Sequence, residues 1–424
     1  MRKIADVKYA ADLLQWDQEV NMPDAGASFR ARQIATLSSV SHRWFTAAPV
    51  GRILKTLLKD KSLSEKEIRN VKESFRKHEE QRKYPGEFVL KLNRKIPECF
   101  HVWQKAKAEK KFSLFKPHLD ELLQLKREEC ELLGYDDHPY NALLGLYEPD
   151  STVAQLNSLF EKVKAELIPF AQKIFSKPVP DTSFLTKHYD RDRQWNFGMY
   201  LLKNLNYDFN AGRQDISTHP FTTNFNAGDV RITTRINESD FREMTWSTVH
   251  ECGHALYEQG LPAEDYGLPS GEYLSLAIHE SQSRMWENNV ARSLPFWEFH
   301  YPELQKLFPE NLKNIPLEKF YKGINTVTPS LIRTNADEIT YHLHVLIRFE
   351  IECALIKGDM KTDDLPDAWN EKYSKYLGIE VTDDASGVLQ DVHWSHGGFG
   401  YFPTYSQGSF YAAQFYLQSK RELN

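Results

Sequence analysis

In the run T-V-H-E-C-G-H-A-L-Y-E-Q-G, residues 248–260, two histidines stand four apart and a glutamate directly follows the first. Imidazole nitrogens bind divalent transition metals, and a carboxylate beside them can take a proton from water. If the run is helical, His250 and His254 stack on one face and can offer two nitrogens to one ion. Glu251 then lies about 100° round the helix, off the ligand axis but close to the ion's open side. This is the H-E-x-x-H arrangement of metallopeptidases. In a chain with 15 histidines, the five-residue pattern arises by chance in roughly a few per cent of cases, so its surroundings must decide. Thr245, Trp246, Val249, Ala255 and Leu256 make the rest of the helix surface apolar. Two imidazoles and a carboxylate buried there are costly without a partner, and a metal ion satisfies all three at once.

A catalytic zinc site needs a third protein ligand and one open position. The segment L-A-I-H-E-S-Q-S-R-M-W-E, residues 276–287, offers Glu280. It follows a loop containing Pro262, Gly267, Pro269 and Gly271, so two antiparallel helices would bring Glu280 opposite the histidine pair. His279 is the competing ligand, and a hydrogen-bonding role outside the ligand set suits it better. Cys252 points off the histidine face and is expected to be a packed thiol. With Cys99, Cys130 and Cys353 it forms neither a disulfide framework nor a Cys-x-x-Cys zinc pattern, so four reduced thiols in a cytoplasmic protein are expected.

The elements that must position these residues read as mostly helical. The first 170 residues run helix after helix: about 4–20, 28–45, a helix opened by the capping pair Ser64 and Glu67, 118–133, and one opened by Thr152 and Gln155 that reaches Ile174. Residues 175–240 differ, with several prolines and glycines, a helix near 190–205, and the β-prone V-R-I-T-T-R-I at 230–236. Helical signals then return. The expected fold is mainly α, a large helical domain with a deep central groove and a small sheet or hairpin near the active site. A single domain over 1–424 is expected, with 1–175 lining the groove and 176–424 carrying the metal and substrate sites.

The 424 residues carry a net charge of −6, with 26% charged and 13% aromatic residues. Such a balance argues against nucleic acid as a partner. The N-terminus lacks an apolar signal core, and no run of 18 apolar residues marks a membrane span.

Further motifs stand in order along the chain. They are W-D-Q-E at 16–19, H-P-F at 219–221, D-V-R-I-T at 229–233, I-R-T-N-A-D at 332–337 and G-V-L-Q-D-V-H-W at 387–394. With H-E-C-G-H and the later H-E-S-Q, the chain resembles the carboxypeptidase Taq family of metallocarboxypeptidases from near residue 5 to its end. The resemblance implies a mostly helical fold with a long groove, often a homodimer. It implies removal of single C-terminal residues from peptides with broad side-chain tolerance. It implies one divalent ion per chain, zinc first, with cobalt or manganese as alternatives. Family members usually continue for several dozen residues beyond G-Y-F-P-T-Y, residues 400–405.

Roles follow from the chemistry and the resemblance together. His250, His254 and Glu280 hold the metal, and Glu251 is the general base. His393 and Tyr341, with Tyr401 behind them, are candidate oxyanion donors. Arg333 is the candidate reader of the substrate carboxylate, because arginine offers a bidentate fork. Tyr405 could add a hydroxyl donor. Arg231 and His219 are expected at the end of the groove, limiting substrate extension. Gln390 and Asp391 are expected to orient His393. Two other readings stay open: an oligopeptide endopeptidase of the same H-E-x-x-H type, and an inactive metal-binding homologue.

Overall fold

The computed structural model describes residues 1–423. Among them 67% are helical, in 17 helices, beside one three-stranded sheet, so the mainly α reading with a small sheet holds. Among the described residues no helix is long and apolar enough to cross a membrane. The chain forms two compact units interleaved along the sequence. The first comprises Met1–Arg82, Asp181–Ile324 and the chain from Gly408 onward; the second comprises Lys83–Pro180 and Asn325–Gln407.

The first unit opens on two packed helices, Arg2–Val20 and Ala27–Phe45, separated by a turn at Pro23. Ser64 and Glu67 exchange the expected capping hydrogen bonds ahead of helix Glu65–Arg82. Asp190 caps helix Arg191–Asn204 by accepting from the Arg193 amide. The sheet follows: β1 (Gln214–Ile216), β2 (Thr222–Asn226) and β3 (Asp229–Thr234). Central β3 pairs parallel with β1 and antiparallel with β2, and a bulge at Asn224/Asn226 leads into the hairpin turn. One face of β3 meets the histidine helix, Phe241–Gln259, where Thr248 donates to Thr234 Oγ1 at 3.2 Å.

The histidine helix starts at Asp240, whose carboxylate accepts from the Arg242 amide. Met244, Val249, Cys252 and Ala255 pack into a core with Phe197, Leu201, Trp297 and Phe320. The glutamate helix, Leu276–Arg284, is capped by Ser275 and continues as a π-helical turn over Met285–Val290. The two helices lie close together at Gly253: a Cβ there would sit 2.6 Å from the Gln282 carbonyl oxygen and 2.7 Å from Ser283 Cα. Both are backbone atoms, so neither can swing away.

The second unit centres on helix Thr340–Lys357, buried on nearly every side and packed against Phe112–Leu133, Val153–Phe175 and Leu365–Leu377. Helix Phe112–Leu133 starts six residues before the expected 118, since Pro117 is absorbed inside it at the loss of one backbone hydrogen bond. Buried Glu352 accepts from the Tyr140 hydroxyl, Trp394 Nε1 and the Gly400 amide.

Gly253→Ala tests the helix contact. The added methyl must push the glutamate helix away, and an overpacking cost of about 1–3 kcal/mol is expected. Denaturant unfolding of the variant against the parent measures it, and equal midpoints would refute the close approach.

Candidate metal centre

The first unit brings His250, His254 and Glu280 together. One ligand atom from each lies within 4.8 Å of the others, the group among the described residues able to hold a metal ion. His250 Nε2 is 3.7 Å and His254 Nε2 is 3.5 Å from the same oxygen, Glu280 Oε2. Those separations are long for hydrogen bonds but suit donors sharing one ion, since zinc–ligand bonds of about 2.0–2.2 Å at tetrahedral angles put ligands roughly 3.3–3.6 Å apart.

Outer partners fix which nitrogen faces Glu280. His254 Nδ1 lies 3.1 Å from the His279 carbonyl oxygen, which can only accept, so Nδ1 carries the proton and Nε2 the lone pair. His250 Nδ1 lies 2.8 Å from Glu287 Oε2 and is fixed in the same way. Arg284 Nε donates to Glu280 Oε1 at 2.7 Å, and Ser283 Oγ donates to Glu280 Oε2 at 3.2 Å. Glu280 also packs on Gly408, where a Cβ would meet Glu280 Cβ and Cγ at 3.0 Å.

The electrostatics match this donor set. Burial works against the Glu280 carboxylate, but Arg284 and His250 outweigh it and hold its pKa well below the usual range. Burial alone would lower His250, yet Glu280 and Glu287 raise it to about 9. Burial pushes His254 down to about 3, helped by neighbouring His279. The carboxylates of Glu280 and Glu287 beside His250 thus favour a positive charge there. Two neutral imidazole nitrogens and one carboxylate oxygen fit a divalent transition ion.

Glu251 sits beside the triad, buried, with Thr222 Oγ1 donating to its Oε2 at 2.6 Å. Burial raises its pKa, which moves a carboxylate toward basicity useful near neutral pH. His279 turns its ring nitrogen Nε2 to Glu258, at 2.8 Å, and stacks on His254 at 4.2 Å between ring centres. Cys252 is fully buried.

Arg231 forks onto Asp229 at 2.8 and 2.9 Å, and its guanidinium lies 4.3 Å from the ring centre of Trp16, so the W-D-Q-E and D-V-R-I-T motifs meet. The His219 carbonyl accepts from Ser217 Oγ at 2.6 Å, in the loop between β1 and β2.

The remaining candidates gather in the second unit. Arg333 is buried, with Nε and Nη2 on the two oxygens of Asp391 at 2.8 and 3.1 Å, and Nη1 donating to the Tyr341 hydroxyl at 2.7 Å. Arg348 adds a contact to Asp391 at 3.0 Å. Gln390 Oε1 accepts from the Arg333 amide, and Gln390 Nε2 donates to the Leu331 carbonyl. Gln390 and Asp391 therefore orient Arg333 rather than His393. Asp391 Oδ1 is 3.9 Å from His393 Nδ1, too far for a hydrogen bond, because two guanidinia already draw that carboxylate. Burial lowers His393 to about 3, against the pull of Asp391, and its ring lies beside Tyr401. Tyr405 donates to the Tyr401 hydroxyl at 3.2 Å.

Sequence reasoning missed Glu287, Thr222, Arg284 and Arg348. Glu287 and Arg284 carried a signal, standing seven and four residues after Glu280 on a helix. Thr222 carried none, since strand pairing places it.

The family described as Carboxypeptidase Taq (M32) metallopeptidase matches residues 1–424. The thermostable carboxypeptidase 1 of Thermus thermophilus is 41% identical over 436 residues, covering 100% of this chain and 85% of the relative. Carboxypeptidase 1 of Bacillus subtilis is 40% identical over 420 residues, covering 98% of this chain and 83% of that protein. The crystal structure of an M32 carboxypeptidase from Deinococcus radiodurans superposes with a TM-score of 0.97 at 36% identity, covering 99% of this chain and 85% of the other. Matched from end to end in sequence and followed closely in backbone by these relatives, the chain belongs to the carboxypeptidase Taq (M32) family and is a metal-dependent carboxypeptidase, a hydrolase of peptides.

Proposed function

We propose that the chain releases single amino acids from peptide C-termini at the His250, His254 and Glu280 centre, with Glu251 as general base. The observation that carries this reading is the convergence of two imidazole Nε2 atoms on one Glu280 oxygen, with Glu251 buried beside them. His250, His254 and Glu280 would hold a divalent ion, which would supply Lewis acidity toward water and the scissile carbonyl. Glu251 takes the proton of the attacking water and hands it to the departing amine. Thr222 holds one carboxylate oxygen of Glu251, which fixes the other for this work. Glu287 and the His279 carbonyl keep both imidazoles in the tautomer that leaves Nε2 free to bind.

Arg333 is our candidate for pairing with the substrate carboxylate. Its contacts to Asp391 and Tyr341 use three N–H groups of the five a guanidinium has. Tyr341, His393, Tyr401 and Tyr405 are retained as hydrogen-bonding candidates, and Arg231 and His219 as residues that limit substrate length. Broad side-chain tolerance, zinc as the ion and a homodimer rest on the family resemblance, and a cytoplasmic location on the unpaired cysteine pattern.

Incubation with N-blocked dipeptides should liberate a free amino acid, and a chelator should stop it. Glu251→Gln should lower kcat/KM by about 10²–10⁴ while the chain still retains its ion in metal analysis. Activity that survives either treatment contradicts the mechanism. A C-terminally amidated peptide should resist cleavage; cutting it as fast as the free acid would indicate an endopeptidase. One bound ion without turnover on any peptide would indicate a binding protein.

Arg333→Lys keeps the charge but loses the planar fork. For a lost charge-assisted hydrogen bond, kcat/KM on blocked dipeptides should fall roughly 10- to 100-fold through a raised KM. A KM equal to the parent's would remove Arg333 from substrate recognition.

A further inference from the structure

Glu280 faces the two imidazoles with only one of its oxygens. Oε2 is the atom near both Nε2 positions, while Oε1 is taken by Arg284 Nε at 2.7 Å. A free carboxylate can bind a cation through one oxygen or both. A second oxygen on the ion would fill the position that a catalytic site must keep open.

The same guanidinium reaches the other side of the centre. Arg284 Nη1 stands 3.6 Å from Glu287 Oε2, the oxygen that accepts from His250 Nδ1 at 2.8 Å. Residues 280, 284 and 287 follow the i, i+4, i+7 spacing of one helix face, and the backbone widens into a π-turn from Met285. Arg292 approaches the opposite Glu287 oxygen at 3.5 Å and is itself seated 4.3 Å from the Trp246 ring centre and bonded to the Ile324 carbonyl. Glu287 is thus gripped by two guanidinia, one of which also grips the carboxylate ligand. All four side chains are largely shielded from solvent, so the contacts are weakly screened.

We propose that Arg284 is a positioning residue of the metal centre: it commits Glu280 to single-oxygen ligation and, through Glu287, locks the ring of His250. This rests on the reading of His250, His254 and Glu280 as the ligands. Without Arg284, Glu280 is free to turn both oxygens to the ion, and Glu287 loses one of its two anchors.

The test uses the whole 424-residue chain loaded with cobalt, whose visible absorption reports coordination number, together with chelator competition for metal affinity. Arg284→Met should change metal affinity by about 10- to 100-fold, the scale seen for partners outside the ligand set. Its cobalt absorption should fall in intensity as the ligand number rises. The metal-free protein should melt within a few degrees of the parent, the scale of a small local change. Arg284→Lys, which keeps a cation for Glu280 Oε1, should restore most of the parental spectrum. If the Met variant does not fold, Arg284→Gln carries the same expectation, being neutral and too short to span both carboxylates. Parental affinity with a parental spectrum overturns the proposal. Altered affinity with a parental spectrum also overturns it, because the arginine would then only support the fold. A parent chain that binds no ion at all sinks the ligand reading instead, and the two failures are thereby told apart.

Discussion

The close contact of two helices at Gly253 is the constraint from which the centre follows. With no Cβ at that position, the histidine helix lies against the backbone of Gln282 and Ser283. That distance sets how far Glu280 stands from His250 and His254. A wider crossing would leave three polar side chains buried and separate, each with its own desolvation cost. At the observed crossing they converge on one point, and a single cation can satisfy them together. The small residue inside the H-E-C-G-H motif is therefore as much a part of the site as the histidines beside it. The cap at Ser275 and the packing of Gly408 on Glu280 fix the second helix in register.

Charge balance is the second requirement. Glu251, Glu280 and Glu287 bring three carboxyl groups into a shielded volume, and two arginines answer them. The three are not equivalent. Glu280 and Glu287 have guanidinium partners and are held as carboxylates. Glu251 has no guanidinium partner; burial outweighs the pull of His250 and the Thr222 hydroxyl, and its affinity for a proton rises. Three identical side chains thus acquire different proton affinities through their partners, the division that the proposed roles of ligand, support and base require, and one set by environment rather than residue type.

Much of this was legible in the sequence because the informative features are local. Several helix borders follow periodicity and caps, and the Ser64–Glu67 and Thr152–Gln155 pairs form the hydrogen bonds their spacing implies. His250 and His254 could be paired from the helical repeat alone. Glu280 required a guess about loop geometry, which the prolines and glycines between the helices made reasonable. Other features depend on tertiary placement. Nothing in the spacing of Thr222 marks it as a neighbour of Glu251, because the β2–β3 register brings it there. The interleaving of the two units has no compositional trace either, since the chain passes between them without linker-like segments. The expectation that Asp391 orients His393 fails because two guanidinia, Arg333 and Arg348, take its oxygens, a tertiary arrangement the sequence does not display.

Arginines fixed by carboxylates recur in both units, and the recurrence has a physical reason. Arg231 is forked by Asp229 and laid on Trp16; Arg333 is forked by Asp391 and surrounded by Tyr341, Phe402 and Tyr405; Arg284 is shared between Glu280 and Glu287. A free arginine side chain loses about 2 kcal/mol of rotamer freedom when it is held in one geometry. Here that ordering is met within the folded chain, before any peptide arrives. For Arg333, our candidate for the substrate carboxylate, such ordering means that an anion meeting its remaining N–H groups need not order the side chain first. The carboxylate beside each arginine weakens its net charge, but what it supplies is direction. Hydrolysis of one terminal amide bond depends on direction more than on charge, because the reacting carbonyl must be held to within a fraction of an ångström.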